Sequence, residues 1–330
     1  MQKKTVMPGE AGQRFSKFLE KYFKEAPKGF IYKMLRKKNI TLNGKKADGT
    51  EKLQPGDEIT FWLADETITK FAGTKTFCRV SHALDIIYED EHMLLLNKPA
   101  GILSQKAKPE DVSVNEQVIS YLLDSHFLTE EALLSFRPSI VNRLDRNTSG
   151  LIAAGKTMAG LQQLSALFKD RTMHKYYLCL VKGKITEKKV LEGYLIKDER
   201  HNTARLVSEK TSSADYIKTV YEPLAAAGNL TLLKVLLVTG RTHQIRLHLS
   251  GEGHPIIGDY KYGDAKLNDY FKGKYHLKHQ LLHAYELCMP PLSGALSSVP
   301  EKTFYAPLPP LFDKILKGEG FSWQHGTRAV

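Results

Sequence analysis

The spacing of hydrophobic residues predicts a small unit of two helices and a few strands near the start of the chain. Apolar side chains recur at helical intervals from Phe15 to Phe23 and again from Ile31 to Leu35. Pro27 stands where the second helix can begin, because the first turn of a helix does not need its N–H. Short strands follow at residues 40–42 and 59–61, each next to a glycine-containing turn pair. We therefore expect a compact domain over residues 11–64.

The rest of the chain alternates between helical and strand-like patterns, which predicts a mixed α and β domain over residues 85–310. Met93 to Leu96 form a short apolar run stopped by turn-forming residues, as in a buried strand. Further strands are expected at residues 176–181 and 231–238, and helices at 114–123 and 157–168. The polar stretch 65–84, broken by Gly73, is interpreted as a linker. Residues 311–330 are interpreted as a C-terminal tail that frays in its polar last part.

The charge of the chain favours a polyanionic partner. There are 48 Lys and Arg against 36 Asp and Glu, a net charge of +12 with a pI near 9.3. The first 64 residues hold fourteen basic and seven acidic residues, so they carry +7 of that total. On the second helix Lys33, Arg36 and Lys37 are expected to point outward, opposite its apolar face. A merely solvated face is the alternative, but clustering with other lysines favours a phosphate-binding surface and nucleic acid.

Composition also excludes several classes of protein. The start of the chain lacks the apolar core of a signal peptide, and no apolar run approaches the roughly 18 residues of a membrane helix. The three cysteines are isolated, which argues against a disulfide framework or a cysteine-rich zinc site and favours the cytosol. Phosphate-loop, dinucleotide-binding and nucleophile-elbow motifs are absent from the sequence, which disfavours ATP, nicotinamide and serine-hydrolase chemistry.

Two crowded segments are candidates for chemistry. In residues 141–150, Asp145 lies between two arginines and is expected to be ionised. A turn aspartate on a charged loop is an equally simple interpretation. If residues 239–248 form a strand, His243 and His248 point to opposite faces, which argues against a two-histidine metal site. Spacing alone does not decide whether Arg246 of this segment meets Asp145, and Asp259 is interpreted as a turn-forming aspartate.

The sequence resembles two known families. Residues 11–64, with Gly12-Gln13-Arg14 and Pro27-Lys28-x-x-Ile31-Tyr32-x-x-Leu35-Arg36-Lys37, are similar to the S4 RNA-binding domain. Residues 85–310 resemble the RluA family of RNA pseudouridine synthases in five ordered blocks. These blocks are Asn97-Lys98-Pro99-Ala100-Gly101, Asn142-Arg143-Leu144-Asp145-x-x-Thr148-Ser149-Gly150, Lys175-Tyr176-Tyr177-Leu178 through Gly183, Gly240-Arg241-Thr242-His243-Gln244-Ile245-Arg246 on to Gly258-Asp259, and Leu282-His283-Ala284. Asn142 departs from the family, which has histidine there.

The resemblance implies a fold and roles for individual residues. The implied fold is α+β, with a mixed, largely antiparallel central sheet flanked by helices behind a small S4-like domain. The essential aspartate of the family corresponds to Asp145, which would attack the sugar of a flipped-out uridine or assist a glycal route, with Arg246 as its ion-pair partner. Tyr177 would stack on the base and could help to move the proton at C5, Arg143 would fill the space that the uridine leaves, and Leu282 would form an apolar wall.

The resemblance also implies a substrate. With an S4 domain in front, the chain is similar to bacterial large-subunit ribosomal RNA pseudouridine synthases, so 23S rRNA or a large-subunit precursor is the expected partner. Transfer RNA remains the alternative within the family, and a non-catalytic RNA-binding or ribosome-assembly factor is a second alternative that the presence of Asp145 disfavours. We expect no cofactor, no metal, no membrane partner and a monomer.

Overall fold

The computed structural model describes residues 1–72, 77–198, 203–207, 209–300 and 303–323. The helices are α1 Phe15–Tyr22, α2 Lys28–Arg36, α3 Asp65–Ala72, α4 Val114–Asp124, α5 Met158–Lys169, α6 Gln244–Gly251, α7 Ala265–Tyr275 and α8 Pro310–Gly318. The strands are β1 Gln2–Thr5, β2 Ile40–Leu42, β3 Lys45–Lys46, β4 Glu58–Phe61, β5 Ile86–Glu89, β6 Met93–Lys98, β7 Ser139–Ile140, β8 Ser149–Gly155, β9 His174–Lys182, β10 Lys189–Asp198, β11 Thr203–Val207, β12 Asp215–Ala227, β13 Leu230–Leu237, β14 Leu282–Cys288 and β15 Thr303–Tyr305.

Residues 1–72, the N-terminal unit, have a core of their own. The unit contains an antiparallel sheet in the order β1-β4-β2-β3. Helix α1 buries Phe15, Phe18 and Leu19, the positions that gave the helical spacing, and α2 buries its apolar face beside them. Lys33 and Arg36 on α2, and Lys37 directly after it, are all exposed. The two predicted helices and their apolar faces are therefore confirmed.

The stretch expected to be a linker begins with a helix. Residues 65–72 form α3, which packs Ile68, Phe71 and Ala72 against the core of the N-terminal unit. One short apolar stripe of three residues is too brief to display a period in the sequence, so the helix was missed. The N-terminal unit thus continues to residue 72, past the predicted boundary at 64.

The N-terminal unit is joined to the larger domain by a buried polar contact. The Glu10 side chain, fully buried, accepts a hydrogen bond from Ser135 and pairs with Lys4 at 3.3 Å. Lys4 also reaches Glu131 at 3.2 Å. A buried charge is stable only when it is paired and hydrogen-bonded, so this cluster fixes how the two parts dock.

The larger domain is built on one mixed sheet, which confirms the predicted α+β class. Its main strand order is β11-β10-β12-β13-β9-β14-β8-β6-β5, with β15 on β14 and β7 on β8. All neighbouring pairs are antiparallel except β14 and β8. Strand β9 lies in the middle of this order. Its residues alternate between the two faces: Tyr177 and Cys179 pack into one core, and Leu178 and Leu180 into the other.

The larger domain differs from the sequence expectations in two places. The possible strand over residues 239–248 is instead a turn followed by α6, whose residues 244–249 are all buried. Because α6 has no solvent-exposed side over residues 244–249, its apolar residues do not follow helical spacing, and the alternation of Ile245, Leu247 and Leu249 resembles that of a strand. The expected tail instead begins with α8, which buries Phe312, Ile315 and Leu316. The last part of that tail, residues 324–330, lies outside the described residues.

Among the described helices, none combines the length and the apolar character needed to cross a membrane.

Candidate active site

A cavity of about 820 Å³ opens beside the centre of the sheet. Its walls come from residues 103–107, from the loop 141–148 between β7 and β8, from Tyr177 on β9, from residues 240–246 and from Leu282 on β14. We call residues 141–148 the Asp145 loop. Asp145, Arg143, Tyr177, Arg246 and Leu282, which lie far apart in the sequence, all line this cavity.

The Asp145 loop is held by a buried lysine and a serine. Lys98, at the end of β6, is 1% exposed and donates hydrogen bonds to the carbonyl oxygens of Pro99, Ile102 and Arg146 at 2.9, 2.9 and 3.0 Å. Burial lowers the pKa of Lys98 to about 7, against the opposing effect of the Asp145 carboxylate. Ser104 bonds to both the N–H and the carbonyl of Leu144. The backbone on each side of Asp145 is therefore fixed.

Glycine and asparagine fix the strand that follows the loop. Gly150 has a φ of +110°, and a Cβ at that position would lie 2.2 Å from the carbonyl oxygen of Ala284. Only glycine allows this close approach of β8 to β14. Asn142 stands where the family has histidine, and its amide accepts from the N–H of Ala153 at 2.8 Å and donates to the carbonyl of Leu151 at 3.2 Å. Asn142 thus ties the start of the loop to β8.

Arg246 lies between two carboxylates. Its Nη1 donates to Asp145 Oδ2 at 3.0 Å, while Nε and Nη2 donate to the two oxygens of Asp259 at 2.7 and 2.8 Å. Arg246 and Asp259 are 7% and 1% exposed. Burial opposes ionisation of Asp259, but the hydrogen bonds from Arg246 and from backbone N–H groups outweigh it and lower its pKa. This bidentate pair holds the guanidinium in the plane from which it reaches Asp145.

Asp259 was missed as a site residue. Its sequence context predicts a turn-forming aspartate, and it does accept hydrogen bonds from the N–H groups of Lys261 and Tyr262. Its second role is to pair with Arg246. This role could have been inferred, because a buried arginine needs a buried counter-charge, and a partly exposed carboxylate such as Asp145 compensates it poorly.

Tyr177 and Leu282 form the apolar part of the cavity wall. Tyr177 is 6% exposed on β9, and Leu282 is 5% exposed on the adjacent strand β14. Burial raises the pKa of Tyr177, and the negative charge of Asp145 raises it further. The phenol is therefore neutral at physiological pH. Its neighbour Tyr176 points away from this wall, with the Lys234 ammonium 4.4 Å from its ring centre.

The remaining lining is strongly basic. Asp145 is the one carboxylate among the described lining residues, and it stands against several basic side chains: Lys106, Arg143, Arg146, Lys169, Arg171, Lys175, Lys197, Arg241 and Arg246. Arg143 is exposed at the mouth. This is the charge pattern expected for a cleft that follows a phosphate backbone and uses one anion for chemistry. Lys33, Arg36 and Lys37 do not line the cavity, since they lie on α2 and at its C-terminal end in the N-terminal unit.

Across the parts of the chain that the structure describes, no group of three or more His, Cys, Asp or Glu side chains is arranged to hold a metal ion.

Residues 92–251 match the family model described as RNA pseudouridylate synthase. A Vibrio cholerae protein named ribosomal large subunit pseudouridine synthase C is 32% identical over 284 residues, 83% of this chain and 84% of the relative. The protein of that name from Escherichia coli is 34% identical and covers 80% of each chain. Among solved structures, human RNA pseudouridylate synthase domain containing 4 has a TM-score of 0.56 at 22% identity, covering 70% of this chain and 91% of the human one, which is a similarity of fold.

Proposed function

The chain belongs to the RluA family of RNA pseudouridine synthases, which are isomerases that act on RNA, and from this premise we propose its target and its catalytic residue. The target is uridine in large-subunit (23S) ribosomal RNA, and the catalytic carboxylate is Asp145. The single observation that carries the proposal is the contact between Asp145 and Arg246, 3.0 Å apart in a basic cavity. The names of the curated relatives support the ribosomal target.

The reaction needs one ionised carboxylate and no outside reagent. The bond between N1 and C1′ breaks, the base turns, and C5 becomes bonded to C1′. The proton lost from C5 is balanced by the one that N1 gains. An Asp145 oxygen attacks C1′ directly or assists a glycal route, and both routes require the unprotonated form. Arg246 Nη1 donates a hydrogen bond to Oδ2 at 3.0 Å, which holds the carboxylate in place for either route.

The other lining residues handle the flipped nucleotide. Tyr177 and Leu282 offer flat and apolar surfaces to the uracil ring, in the way that flipped bases are bound by aromatic and apolar side chains. Arg143 at the mouth is the side chain that would enter the space left in the RNA, which offsets part of the few kcal/mol of unstacking. The basic face of α2, in an S4-like N-terminal unit, would contact phosphates farther along the RNA.

The target is tested by mapping pseudouridines in cells that lack this gene. We expect at least one site in large-subunit rRNA to revert to uridine, and to be restored by the parent gene but not by Asp145→Asn. Loss of a transfer RNA pseudouridine with an unchanged ribosomal pattern would contradict the ribosomal target and favour the transfer RNA alternative. An unchanged pattern in all RNA would contradict the proposal and favour a non-catalytic factor.

A further inference from the structure

His243 lies between the catalytic carboxylate and a tyrosine that sequence analysis did not single out. Its Nδ1 is 2.9 Å from the hydroxyl of Tyr262, and its Nε2 is 3.8 Å from Asp145 Oδ2. The side chain is 7% exposed and lines the cavity. The backbone of His243 caps the start of α6 with a φ of +55°, in the left-handed region.

The neighbours of His243 determine which of its ring nitrogens carries the proton. The Tyr262 hydroxyl accepts a hydrogen bond from the N–H of Ala204 at 3.1 Å and still has its own proton to donate. His243 Nδ1 is the acceptor within reach, which leaves the imidazole proton on Nε2, facing the carboxylate. If Nε2 carried no proton, its lone pair would face the negatively charged Asp145 carboxylate, which is repulsive.

The imidazole is neutral. Burial lowers the pKa of His243, and the charges of Arg246 and Lys261 lower it further, while Asp145 and Asp259 act in the opposite direction. A neutral ring with a proton on Nε2 is a hydrogen-bond donor to Asp145 that adds no charge beside Arg246.

Two donors therefore face the same oxygen of Asp145. Arg246 Nη1 is at hydrogen-bond distance from Oδ2, and His243 Nε2 approaches it from the start of the same helix. Oδ1 takes part in none of the hydrogen bonds among the described residues that the structure shows for Asp145. At 3.8 Å the His243 contact is longer than a hydrogen bond, a separation that is common in substrate-free active sites, where such contacts often tighten only in the complex with substrate.

We propose that His243 is a positioning residue that donates from Nε2 to Asp145 Oδ2, in a tautomer fixed by Tyr262, and so keeps Oδ1 directed at the ribose. The inference rests on the proposed function, because it adds a member to the same site.

A purely structural role of His243 and a hydrogen-bonding role predict opposite orders of activity for the variants His243→Gln and His243→Asn. Gln places its amide nitrogen near the position of histidine Nε2, so His243→Gln keeps a donor toward Asp145. Asn reaches only as far as Nδ1, but it tolerates the left-handed backbone better than Gln does. If the backbone conformation alone mattered, His243→Asn would be the more active variant.

The experiment compares kcat, RNA affinity and thermal unfolding for the parent, His243→Gln, His243→Asn and Tyr262→Phe, with tritium release from C5-labelled uridine in a large-subunit rRNA transcript. We expect kcat of His243→Asn and Tyr262→Phe to fall about 10- to 100-fold at unchanged RNA affinity, and His243→Gln to keep more activity than His243→Asn. The control is His248→Asn, the same exchange at a buried histidine of α6 that contacts Thr219. It should leave kcat unchanged.

Three results separate the possible failures. Activity of His243→Asn equal to or above that of His243→Gln would overturn the inference while leaving the proposed function intact. If the His243 variants do not fold, Tyr262→Phe tests the inference instead, because it keeps the ring beside Arg246 and removes only the hydroxyl. A parental kcat in Tyr262→Phe would then overturn the inference. An inactive parent chain would contradict the proposed function itself.

Discussion

Arg246 is held between a buried carboxylate and a partly exposed one, and the two contacts have different consequences. The bidentate contact with Asp259 fixes where the guanidinium lies. From that fixed position Arg246 donates its single hydrogen bond to Asp145. Asp259 is thus a positioning residue that acts through Arg246.

Asp259→Asn should therefore damage both stability and catalysis. Removing one charge from a buried pair leaves the other uncompensated, so the free energy of unfolding should fall by about 3 kcal/mol. The misplaced arginine should lower kcat about 10- to 100-fold. Chemical denaturation and tritium release measure the two effects. Asp264→Asn is the control, since Asp264 pairs with Lys182 at the surface, and an equal loss in both variants would contradict the special role of Asp259.

Tyr177 is predicted to act through its ring and its hydroxyl separately. Tyr177→Phe keeps the flat surface and removes only the hydroxyl, so RNA affinity should remain while kcat falls. Tyr177→Leu should lower both. Tyr176→Phe, on the opposite face of the same strand, should leave both unchanged. Full parental kcat in Tyr177→Phe would exclude a role of the hydroxyl in proton transfer.

The pH dependence of Tyr177 has a definite sign. Its pKa is raised in the folded protein, so the hydroxyl keeps its proton above the ordinary tyrosine value near 10. We therefore compare the pH profiles of kcat for the parent and for Tyr177→Phe up to pH 10. Any decrease of activity with rising pH in this range should occur in both proteins, because Tyr177 does not lose its proton there. A descending limb below pH 10 that disappears in Tyr177→Phe would contradict the burial of this group.

Secondary structure elements with one apolar face were predictable, and elements buried on all sides were not. The period of α1 and of α2 is visible because each has a solvent side. In α6 residues 244–249 are all buried, so the sequence looked like a strand, and its true form brings His243 and Arg246 to the same cavity. The contact of Asp145 with Arg246 was expected from family resemblance alone, because two residues 101 positions apart in the chain give no local signal.

Helix α2 is the element expected to bind phosphates outside the cavity. Replacing Lys33, Arg36 and Lys37 by glutamine should reduce the slope of log affinity against log salt by about 2 to 3, since each phosphate contact releases counterions. The measurement is RNA binding by fluorescence anisotropy over a range of salt. A matched control replaces Lys272, Lys314 and Lys317, on helices packed against the face of the sheet opposite Tyr177. Equal slopes in both triple variants would contradict a binding role for α2.

At the scale of the whole molecule, basic side chains lie on α2 of the N-terminal unit and around the cavity of the sheet domain. The buried contact among Glu10, Lys4 and Ser135 joins these two parts. RNA held at both places would therefore present its uridine to Asp145 in a fixed direction, and the lining lysines and arginines would neutralise phosphates along the way.

The most direct test of this account is the activity of Asp145→Asn, which keeps the size of the side chain and removes its charge. Parent and variant are compared for tritium release from C5-labelled uridine in the rRNA transcript, without added metal or nucleotide, and for RNA affinity. We predict a loss of at least about 1000-fold in kcat, equivalent to about 4 kcal/mol, with RNA affinity retained. Turnover by Asp145→Asn at close to the parental rate would show that another group breaks the bond between N1 and C1′.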